Sequence, residues 1–489
     1  MLGGTGSDVG KSILVAGLCR IFRQDGYNPA PFKAQNMALN SYVTPDGLEI
    51  GRAQAVQAEA AGIECCAEMN PVLLKPSGEM RSQVVVLGRP VGNRDARDYY
   101  RKGNKEALRK EANAAFDRLA GQYNPIVMEG AGSIAELNLM NLDIVNMPMA
   151  HYADASVILV ADIDRGGVFA SVYGSVMLQP EEYRKHIKGV IINKFRGDIS
   201  LFEEGKRIIE ETCGIPVIGV VPYFTDIKIE EEDSVALSTR NWVSGDNRLI
   251  NVAVAAFPQM SNYTDFDMLS RDPRVHLYFT LDPEEMMKAD VILLPGSKNT
   301  LSDLAMLRES GCAEVITTAR ERGVSVMGIC GGYQMMGVEV SDPDGVEGAP
   351  SVAAGLGLLP VKTVLTKDKR LCRTVVSLVE SEERCEGYEI HMGRTELLPG
   401  ATPMLQKDSG EPEGCVVNNL VSGSYIHGLL DNQVMVNYLL HPHAERKGLP
   451  LVVDIESAKE YKERQYDLLA DRLRECLDIE RIYKIMQDA

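Results

Sequence analysis

Short apolar runs separated by glycine, proline and polar residues set the pattern of this chain. Uninterrupted runs of this length are typical of strands buried on both faces of a parallel sheet. Helix-compatible segments lie between them, which predicts an α/β fold built on doubly wound parallel sheets. The clearest runs are residues 126–128, 155–161, 189–192, 215–221, 251–257, 291–294 and 324–327.

The runs fall into two groups, and the acidic run at residues 230–233 separates them. We therefore expect two α/β domains followed by a helical tail, whose apolar residues recur at the spacing of an amphipathic, packing helix pair. The expected bounds are 1–232 for the first domain, 233–249 for a linker, 250–445 for the second domain and 446–489 for the tail. The apolar tail residues are Leu468, Leu469, Leu473, Leu477, Ile482 and Ile485.

One strand of the second group ends in a sharp turn at a cysteine. Residues 324–327 are apolar, and Gly-Ile-Cys-Gly-Gly follows at 328–332, before a helix-compatible segment. This is the pattern of a nucleophile elbow with Cys in place of Ser. Glycine allows the strained turn, and the helix start favours a thiolate and an oxyanion. Cys330 is therefore the candidate nucleophile, although an isolated cysteine here would also fit a structural role.

A cysteine nucleophile needs a base, and His427 is the natural partner. It ends an apolar strand pattern, and among the seven histidines it follows the elbow at a distance typical of one domain. His391, which precedes a Gly-Arg turn, ranks second. Taken alone, His427 would also fit a hydrogen-bonded histidine at a strand edge.

Together, the elbow and the strand-end histidine resemble the class I, or triad-type, glutamine amidotransferases. The resemblance implies a flavodoxin-like α/β domain in which Cys330 and His427 release ammonia from glutamine. It also assigns the oxyanion hole to the backbone of Gly296, in a Pro-Gly-Ser turn, and of Gly331, the residue after the nucleophile.

The third member of the triad is open. Most members of that family carry Glu two residues after the histidine, but this chain has Leu429 there. The departure predicts either a Cys-His dyad or an acid from elsewhere in the chain. Glu396 and Asp431 are the candidates that the sequence offers.

The first group opens on a glycine-rich segment that ends in Lys-Ser before a helix pattern at residues 13–23. This is a phosphate-binding loop (P-loop): backbone N–H groups cradle phosphates, Lys11 reaches the terminal phosphates, and Ser12 Oγ can bind Mg²⁺. Only two residues precede Gly3, too few for a leading strand, so we expect a truncated or misplaced start. The candidate ATP-binding residues of the loop are Gly4, Thr5, Gly6, Ser7, Asp8, Val9, Gly10, Lys11 and Ser12.

The loop has Thr5 where the standard pattern has glycine, and this variant resembles the loop of dethiobiotin synthetases. The Glu-Gly-Ala-Gly run at residues 129–132 resembles the same family. The resemblance implies a domain that forms a carboxyl phosphate from ATP. The loop lacks the second lysine of partition ATPases, which argues against that class.

A carboxylate at the end of a strand in a P-loop fold is the expected second ligand of Mg²⁺. Glu129 follows the run at 126–128 and fits this role; a structural role would require a salt bridge, because a buried unpaired carboxylate is costly. Asp46 is a further candidate. We expect ATP and Mg²⁺ as cofactors and no bound organic cofactor.

Polar residues follow several predicted strands and face the expected ligand edge of the sheet. Asn193 is placed to hydrogen-bond an adenine edge, and the loop after residues 155–161 carries two acids, an arginine and two glycines. The segment 33–41 is rich in amides; without the P-loop it would fit a polar surface loop. The candidate substrate residues are Lys33, Gln35, Asn36, Asn40, Arg52, Asp162 and Arg165.

The composition of the chain excludes some classes of binding partner. The 489-residue chain has a net charge of −18, which argues against nonspecific binding of nucleic acid or anionic membranes. It has ten cysteines without C-x-x-C spacing, and no apolar run reaches membrane-spanning length. We expect a cytoplasmic protein with small-molecule partners; the oligomeric state is left open.

A carboxyl-activating domain joined to a glutaminase predicts amide synthesis. Blocks at residues 32–41, 162–171, 294–300 and 388–393 resemble the cobyric acid synthases, in the same order along almost the whole chain. The resemblance implies glutamine- and ATP-dependent amidation of the b, d, e and g carboxylates of adenosylcobyrinic acid a,c-diamide, in cobalamin biosynthesis. The corrinoid is then a substrate.

Three alternatives remain at this stage. Cobyrinic acid a,c-diamide synthases share both domains but usually lack the 33–41 block in this form. A P-loop regulator that senses nucleotide would perform no amidation. A glutaminase with a vestigial P-loop would act without ATP.

Overall fold

The computed structural model describes residues 1–78, 81–95, 102–230 and 241–487. The chain divides into two compact units: unit 1 comprises Met1–Ala38, Glu49–Glu230 and Tyr461–Ala489, and unit 2 comprises Leu39–Leu48 and Glu231–Glu460. Part of the expected linker, residues 231–240, lies outside the described residues. Two segments are grouped differently from the expected domain bounds, because residues 39–48 belong to unit 2 and the terminal helices belong to unit 1.

The strands are numbered along the chain. Up to the end of the first group they are β1 Leu2–Gly4, β2 Ala30–Phe32, β3 Gln35–Met37, β4 Ser41–Val43, β5 Glu49–Gly51, β6 Val72–Gly78, β7 Arg81–Val86, β8 Arg89–Asp95, β9 Ile126–Met128, β10 Val157–Asp162, β11 Ile187–Phe195 and β12 Val217–Pro222. The later ones are β13 Ile250–Ala255, β14 Met260–Ser261, β15 Val275–Thr280, β16 Val291–Leu294, β17 Gly296–Ser297, β18 Ser325–Ile329, β19 Glu339–Asp342, β20 Ser351–Ala354, β21 Val361–Leu378, β22 Arg384–Leu397, β23 Leu405–Lys407, β24 Pro412–Glu413, β25 Cys415–Val417, β26 Val421–Ser424 and β27 Ile426–His427.

The helices are numbered in the same way. They are α1 Lys11–Gln24, α2 Arg52–Ala61, α3 Lys102–Ala120, α4 Met147–Tyr152, α5 Val168–Met177, α6 Glu181–Arg184, α7 Glu203–Cys213, α8 Pro283–Met286, α9 Thr300–Glu309, α10 Cys312–Thr317, α11 Gly331–Met336, α12 Gln433–Lys447, α13 Ala458–Cys476 and α14 Ile479–Gln487. No described helix combines the length and apolar character needed to cross a bilayer.

The centre of unit 1 is a parallel sheet with the order β1-β10-β11-β12. Alternate residues of β10 enter two different cores: Ile158 and Val160 pack with α1, whereas Leu159 and Ala161 pack with α5. Both faces of the strand are therefore buried, which explains its continuous apolar run. This arrangement confirms the predicted doubly wound α/β class. A second sheet, β3-β6-β7-β8, was not predicted.

The strand that leads into the P-loop is β1, only three residues long. It pairs in parallel with β10, and an isolated bridge joins Leu2 to Glu129 after β9. The expectation that two residues before Gly3 are too few for a strand is therefore wrong, because pairing with β10 stabilises a strand of minimal length.

Unit 2 contains a sheet with the order β15-β13-β16-β18-β26-β25, parallel except for the last pair. Its continuous apolar strands, β13 and β16, are fully buried, as the pattern predicts. A second sheet is built on the long hairpin of β21 and β22, and β27 pairs with β22. The fold places β18 and β27, the two strands that carry the predicted catalytic pair, in different sheets of one unit.

The C-terminal helices pack on α1 within unit 1. Leu473 on α13 is fully buried, and a Cβ atom added at Gly17 of α1 would lie 2.2 Å from its Cδ1 atom. Arg20 of α1 pairs with Glu463 and Asp467 of α13 at 2.8 and 2.7 Å. The two terminal helices are thus part of the core of unit 1.

We predict that Leu473→Ala loosens α1, because truncating a fully buried leucine costs about 2–5 kcal/mol. Hydrogen exchange measured by mass spectrometry is expected to accelerate in residues 11–24. The matched control is Leu201→Ala, since Leu201 is 82% exposed and also lies in unit 1. Unchanged protection of α1 in the Leu473 variant would contradict this packing.

Candidate functional site

The predicted nucleophile lies at a strained turn between β18 and α11. Cys330 has φ +52°, in the left-handed region that residues other than glycine rarely adopt. A Cβ atom added at Gly332 would lie 2.0 Å from the Leu294 carbonyl oxygen, so only glycine fits there. The Cys330 backbone N–H donates to the Ser424 carbonyl at 2.8 Å. The geometry is that of the predicted nucleophile elbow.

His427 ends β27, and its side chain is held between an acid and the cysteine. Its Nδ1 atom lies 2.7 Å from Asp265 Oδ2, and the other carboxylate oxygen accepts a hydrogen bond from the Gly428 N–H at 2.9 Å. The Tyr388 ring stacks on the imidazole at a centroid distance of 5.5 Å. Cys330 lies near enough to contribute to the raised pKa of the imidazole, and its Sγ atom lies 3.5 Å from the Ile390 carbonyl oxygen. The structure thus brings the two predicted residues together and adds a carboxylate, which gives a Cys-His-Asp triad.

The acid is neither of the two candidates that the sequence offered. Glu396 is exposed on β22, and Leu429 is buried in the hydrophobic core of unit 2. Asp431 lies in the short helical turn after His427, with its backbone bonded to Gly428. The proposed candidates Glu396 and Asp431 are therefore replaced by Asp265, which precedes the elbow in the chain.

The electrostatics of the triad favour a charged imidazole. Burial on its own lowers the pKa of His427, but the charge and hydrogen bond of Asp265, followed by Cys330, outweigh it and raise the pKa to about 10. Imidazolium is therefore the stable form at neutral pH. A protonated histidine beside the sulfur stabilises a thiolate and can donate a proton to a leaving amine.

The two residues assigned to the oxyanion hole lie beside this triad. A Cβ atom added at Gly296 would lie 3.1 Å from His427 Cε1, and one added at Gly331 would lie 2.8 Å from the Ser297 backbone nitrogen. The backbone of β17 and the first residue of α11 therefore converge next to Cys330. Their N–H groups are candidates to hold a developing oxyanion.

His391, the second-ranked base, is occupied by other partners. Its Nε2 atom lies 2.9 Å from Glu389 Oε2, and its Nδ1 atom lies 2.8 Å from the Gly393 carbonyl oxygen. Its ring stacks on Tyr425 at 3.7 Å. These contacts favour a structural role for His391 and leave His427 as the candidate base.

The P-loop of unit 1 runs from β1 to the first turn of α1, as predicted. The Lys11 ammonium donates to the carbonyl oxygens of Gly6 and Gly132 at 2.9 and 3.0 Å, which holds it over the loop. Gly10 has φ +92°, and Asp8 has φ +56°, so the loop uses left-handed residues to turn its N–H groups inward. The geometry suits a bound phosphate chain.

Glu129 lies directly beside the P-loop serine. Its Oε1 atom accepts hydrogen bonds from Ser12 Oγ at 2.9 Å and from Lys33 Nζ at 2.7 Å, and its Oε2 atom accepts from Gln57 Nε2 at 2.6 Å. Burial on its own raises the pKa of Glu129, but Lys33, Gln57 and Lys11 outweigh it and hold the pKa below its usual range. The carboxylate is therefore ionised.

The residues around Glu129 fit a hard cation. Ser12 and Glu129 supply oxygen atoms, and the buried Gln57 Oε1 atom has no hydrogen-bond partner among the described residues. No group of three or more His, Cys, Asp and Glu side chains forms a metal site within the described ranges. Protein oxygens alone would therefore give an incomplete shell, which phosphate oxygens and water complete at typical Mg²⁺ sites.

Asp46, the third metal candidate, belongs to unit 2, whereas the P-loop belongs to unit 1. Its Oδ1 atom accepts from Thr44 Oγ1 at 2.5 Å in a tight turn that also includes Leu48. The neighbouring carboxylate of Glu49 forms a buried ion pair with Lys75 at 2.8 Å. These contacts are compatible with structural roles for both acids, and a metal contact of Asp46 stays a prediction.

Strand-end residues of β10 and β11 meet at the P-loop. The Asn193 amide donates to the Val9 carbonyl at 2.8 Å, so it shapes the loop; its predicted contact with adenine stays a prediction. Asp162 lies 3.1 Å from Lys194 Nζ and 4.0 Å from Arg165. Lys194, which sequence reasoning missed, also donates to the Asp8 carbonyl. It adds a cation beside the loop.

The other predicted substrate residues lie in different surroundings. Their partners are Glu129 for Lys33, Lys105 for Gln35, Gln54 for Asn36, Glu230 for Arg52 and Asn262 for Asn40. Asn40 lies in unit 2 and the other four in unit 1. A contact of any of these residues with a corrinoid stays a prediction.

Two protein-family models match the chain. Residues 1–236 match the CobQ/CobB/MinD/ParA nucleotide binding domain, and residues 251–435 match the CobB/CobQ-like glutamine amidotransferase domain. Fold and sites together define a nucleotide-binding domain joined to a glutamine amidotransferase domain, the architecture of a glutamine-hydrolysing carbon–nitrogen ligase.

Relatives that match over the full chain show which family of this class the chain belongs to. The cobyric acid synthase of Phocaeicola vulgatus is 60% identical over 488 residues, covering 99% of this chain and 98% of the relative. That of Bacteroides fragilis is 58% identical, covering 100% and 98%, and that of Klebsiella pneumoniae is 48% identical, also covering 100% and 98%. The chain belongs to the cobyric acid synthase family.

We predict that Asp265→Asn lowers glutaminase kcat by about 100-fold or more, because the imidazolium loses its counter-charge and its orienting partner. The pKa of His427 then falls from about 10, so the alkaline limb of the kcat profile moves to lower pH. Initial rates of glutamate release between pH 6 and pH 10.5 measure both effects.

The matched control is Glu396→Gln, which changes an exposed acid of the same unit and is expected to keep the wild-type profile. An Asp265 variant with wild-type kcat, or with an alkaline limb at higher pH, would show that the triad is assigned wrongly. The same charge pair also makes stability pH-dependent. Its contribution is complete below the ordinary histidine value of 6.5 and is lost as the pH rises through about 10.

Proposed function

We propose that this protein uses glutamine and ATP to amidate the b, d, e and g side-chain carboxylates of adenosylcobyrinic acid a,c-diamide, giving adenosylcobyric acid in cobalamin biosynthesis. The observation that carries the proposal is the presence of two sites in one chain. One is a Cys-His-Asp triad, and the other is a P-loop whose Lys11 and Ser12 lie close to Glu129. Full-length similarity to cobyric acid synthases supports the substrate. We place the reaction in the cytoplasm.

In unit 2 the Cys330 thiolate attacks the glutamine amide carbon, and the N–H groups near Gly296 and Gly331 stabilise the oxyanion. His427, charged beside Asp265, donates its proton to the departing nitrogen, so ammonia leaves and a thioester forms. Neutral His427 then takes a proton from water, which hydrolyses the thioester to glutamate and restores the thiolate.

In unit 1 the substrate carboxylate attacks the terminal phosphorus of ATP, the bond to the β-phosphate oxygen breaks, and an acyl phosphate and ADP form. Lys11 and Lys194 place positive charge where the transferred phosphoryl group develops negative charge. Ser12 and Glu129 would hold Mg²⁺, which would supply further charge neutralisation when bound. Ammonia attacks the acyl carbon, phosphate leaves with its bonding electron pair, and the nitrogen releases one proton to give the amide. Activation is needed because a free carboxylate is a poor acyl donor.

The experiment that tests the substrate is mass spectrometry of the corrinoid after incubation of the a,c-diamide with glutamine, ATP and the protein. The proposal predicts four successive exchanges of OH for NH₂. Acceptance of the undiamidated acid, with reaction at positions a and c only, would instead identify a cobyrinic acid a,c-diamide synthase. Nucleotide hydrolysis without any mass change would favour a nucleotide-sensing regulator.

We predict that Cys330→Ala abolishes glutamine-dependent amidation but keeps amidation driven by high ammonium at alkaline pH, because ammonia then needs no release step. Cys213→Ala, which changes a half-buried cysteine of unit 1, serves as the control and should keep both reactions. Loss of ammonia-driven synthesis in a folded Cys330 variant would contradict the division of labour.

We predict the reverse pattern for Lys11→Ala. Amidation should fall by about 100-fold or more with either nitrogen source, because the transferred phosphoryl group loses its main cation. Alkylation of Cys330 by a glutamine-analogue diazoketone should remain. Wild-type amidation in this variant would favour the ATP-independent glutaminase.

A further inference from the structure

The segment Leu39–Leu48 belongs to unit 2, although the chain on either side of it belongs to unit 1. Asn40 in this segment is 1% exposed, and its Oδ1 atom accepts a hydrogen bond of 2.6 Å from the Asn262 backbone N–H. The Asn262 amide in turn donates to the Ser41 carbonyl at 3.3 Å. Two buried asparagines, Asn40 and Asn262, thus connect the segment Leu39–Leu48 to the rest of unit 2.

Asn262 lies between two parts of the candidate site: Asp265 of the triad and β17, which carries Gly296. Asn262 directly follows β14, in which Ser261 pairs with Gly296 of the oxyanion turn. It has φ +54° and begins the helical turn that carries Asp265, whose N–H donates to the Asn262 carbonyl at 3.0 Å. A shift of Asn262 would therefore move both the acid and the oxyanion backbone.

A second contact from the same segment supports His427 directly. The Tyr42 ring packs edge-on against Tyr388 at 4.8 Å, and Tyr388 stacks on His427. The Asn262 amide also donates to the Tyr388 hydroxyl at 3.0 Å. The Arg373 side chain fixes the segment by donating to the Val43 carbonyl at 3.0 Å. The polar and aromatic contacts converge on the same imidazole.

We propose that the segment Leu39–Leu48 is a positioning element of the glutaminase, and that Asn40 sets the position of Asp265 and of the Gly296 backbone through Asn262. This inference rests on the proposed glutaminase activity. It gives Asn40 a role that differs from the corrinoid contact expected from its amide-rich sequence block.

The test compares Asn40→Ala with Asn40→Asp, which keeps an oxygen acceptor for the Asn262 N–H. Glutaminase kcat is expected to fall roughly 10- to 100-fold in the alanine variant, with a smaller change in KM for glutamine, because the reacting groups are misplaced. The aspartate variant should recover most of kcat. Amidation driven by ammonium should stay at the wild-type rate in both.

Asn251→Ala is the matched control, because Asn251 is a fully buried asparagine of unit 2 whose Oδ1 atom accepts from the Gly245 N–H at 2.8 Å. It should lower the thermal midpoint by a similar amount without the loss of kcat. Equal kcat in the Asn40 and Asn251 alanine variants, or no recovery with aspartate, would overturn the inference.

The result also separates this inference from the proposed function. If wild-type protein releases no glutamate from glutamine, the proposed function itself fails. If Asn40→Ala keeps glutaminase kcat but loses ammonium-driven amidation, Asn40 acts on the carboxylate substrate and the positioning role is wrong.

Discussion

The proposed glutaminase site depends on one buried charge pair, Asp265 with His427. Both side chains are only 2% exposed, and breaking such a pair by removing one partner typically costs about 3–5 kcal/mol. The pair is stable because every carboxylate oxygen has a donor: the imidazole for one and the Gly428 N–H for the other. It keeps the imidazole charged next to the sulfur, which is the condition for a thiolate nucleophile. The strained elbow and the oxyanion backbone are arranged around it.

Unit 1 uses the same physical solution for a different reaction. Glu129 is buried and ionised, and a lysine, an amide and a serine hydroxyl surround it. Lys33 compensates its charge, so the carboxylate can stay in place beside Ser12 at the end of β9. A buried acid held by local donors therefore organises each half of the proposed reaction.

The sequence predicted the features that depend on local backbone geometry: the elbow, the P-loop and the buried strands. The elbow at Cys330 has glycine at 328, 331 and 332, where added Cβ atoms would lie too close to neighbouring atoms. Lys11 and Ser12 end the glycine-rich segment, as a P-loop requires. The continuous apolar run of β10 predicted a strand buried on both sides, and the two cores on its faces bear this out.

Sequence patterns did not predict the contacts between distant parts of the chain. Asp265 lies 162 residues before His427, in a short polar turn with no recognisable motif, so the sequence does not link the two residues. A polar Asn-Tyr-Thr-Asp turn directly after a strand was the available signal. The packing of the terminal helices on α1 and the placement of residues 39–48 in unit 2 depend on tertiary contacts, which periodicity does not encode.

The central claim is that nitrogen freed at Cys330 replaces an oxygen that ATP has activated. The most direct measurement uses amide-¹⁵N glutamine and a corrinoid whose side-chain carboxylates carry ¹⁸O, followed by mass spectrometry of product and phosphate. The account predicts one ¹⁵N in each new amide and one ¹⁸O transferred to phosphate for each amide formed. Phosphate without ¹⁸O, or amide nitrogen that does not come from glutamine, would contradict it.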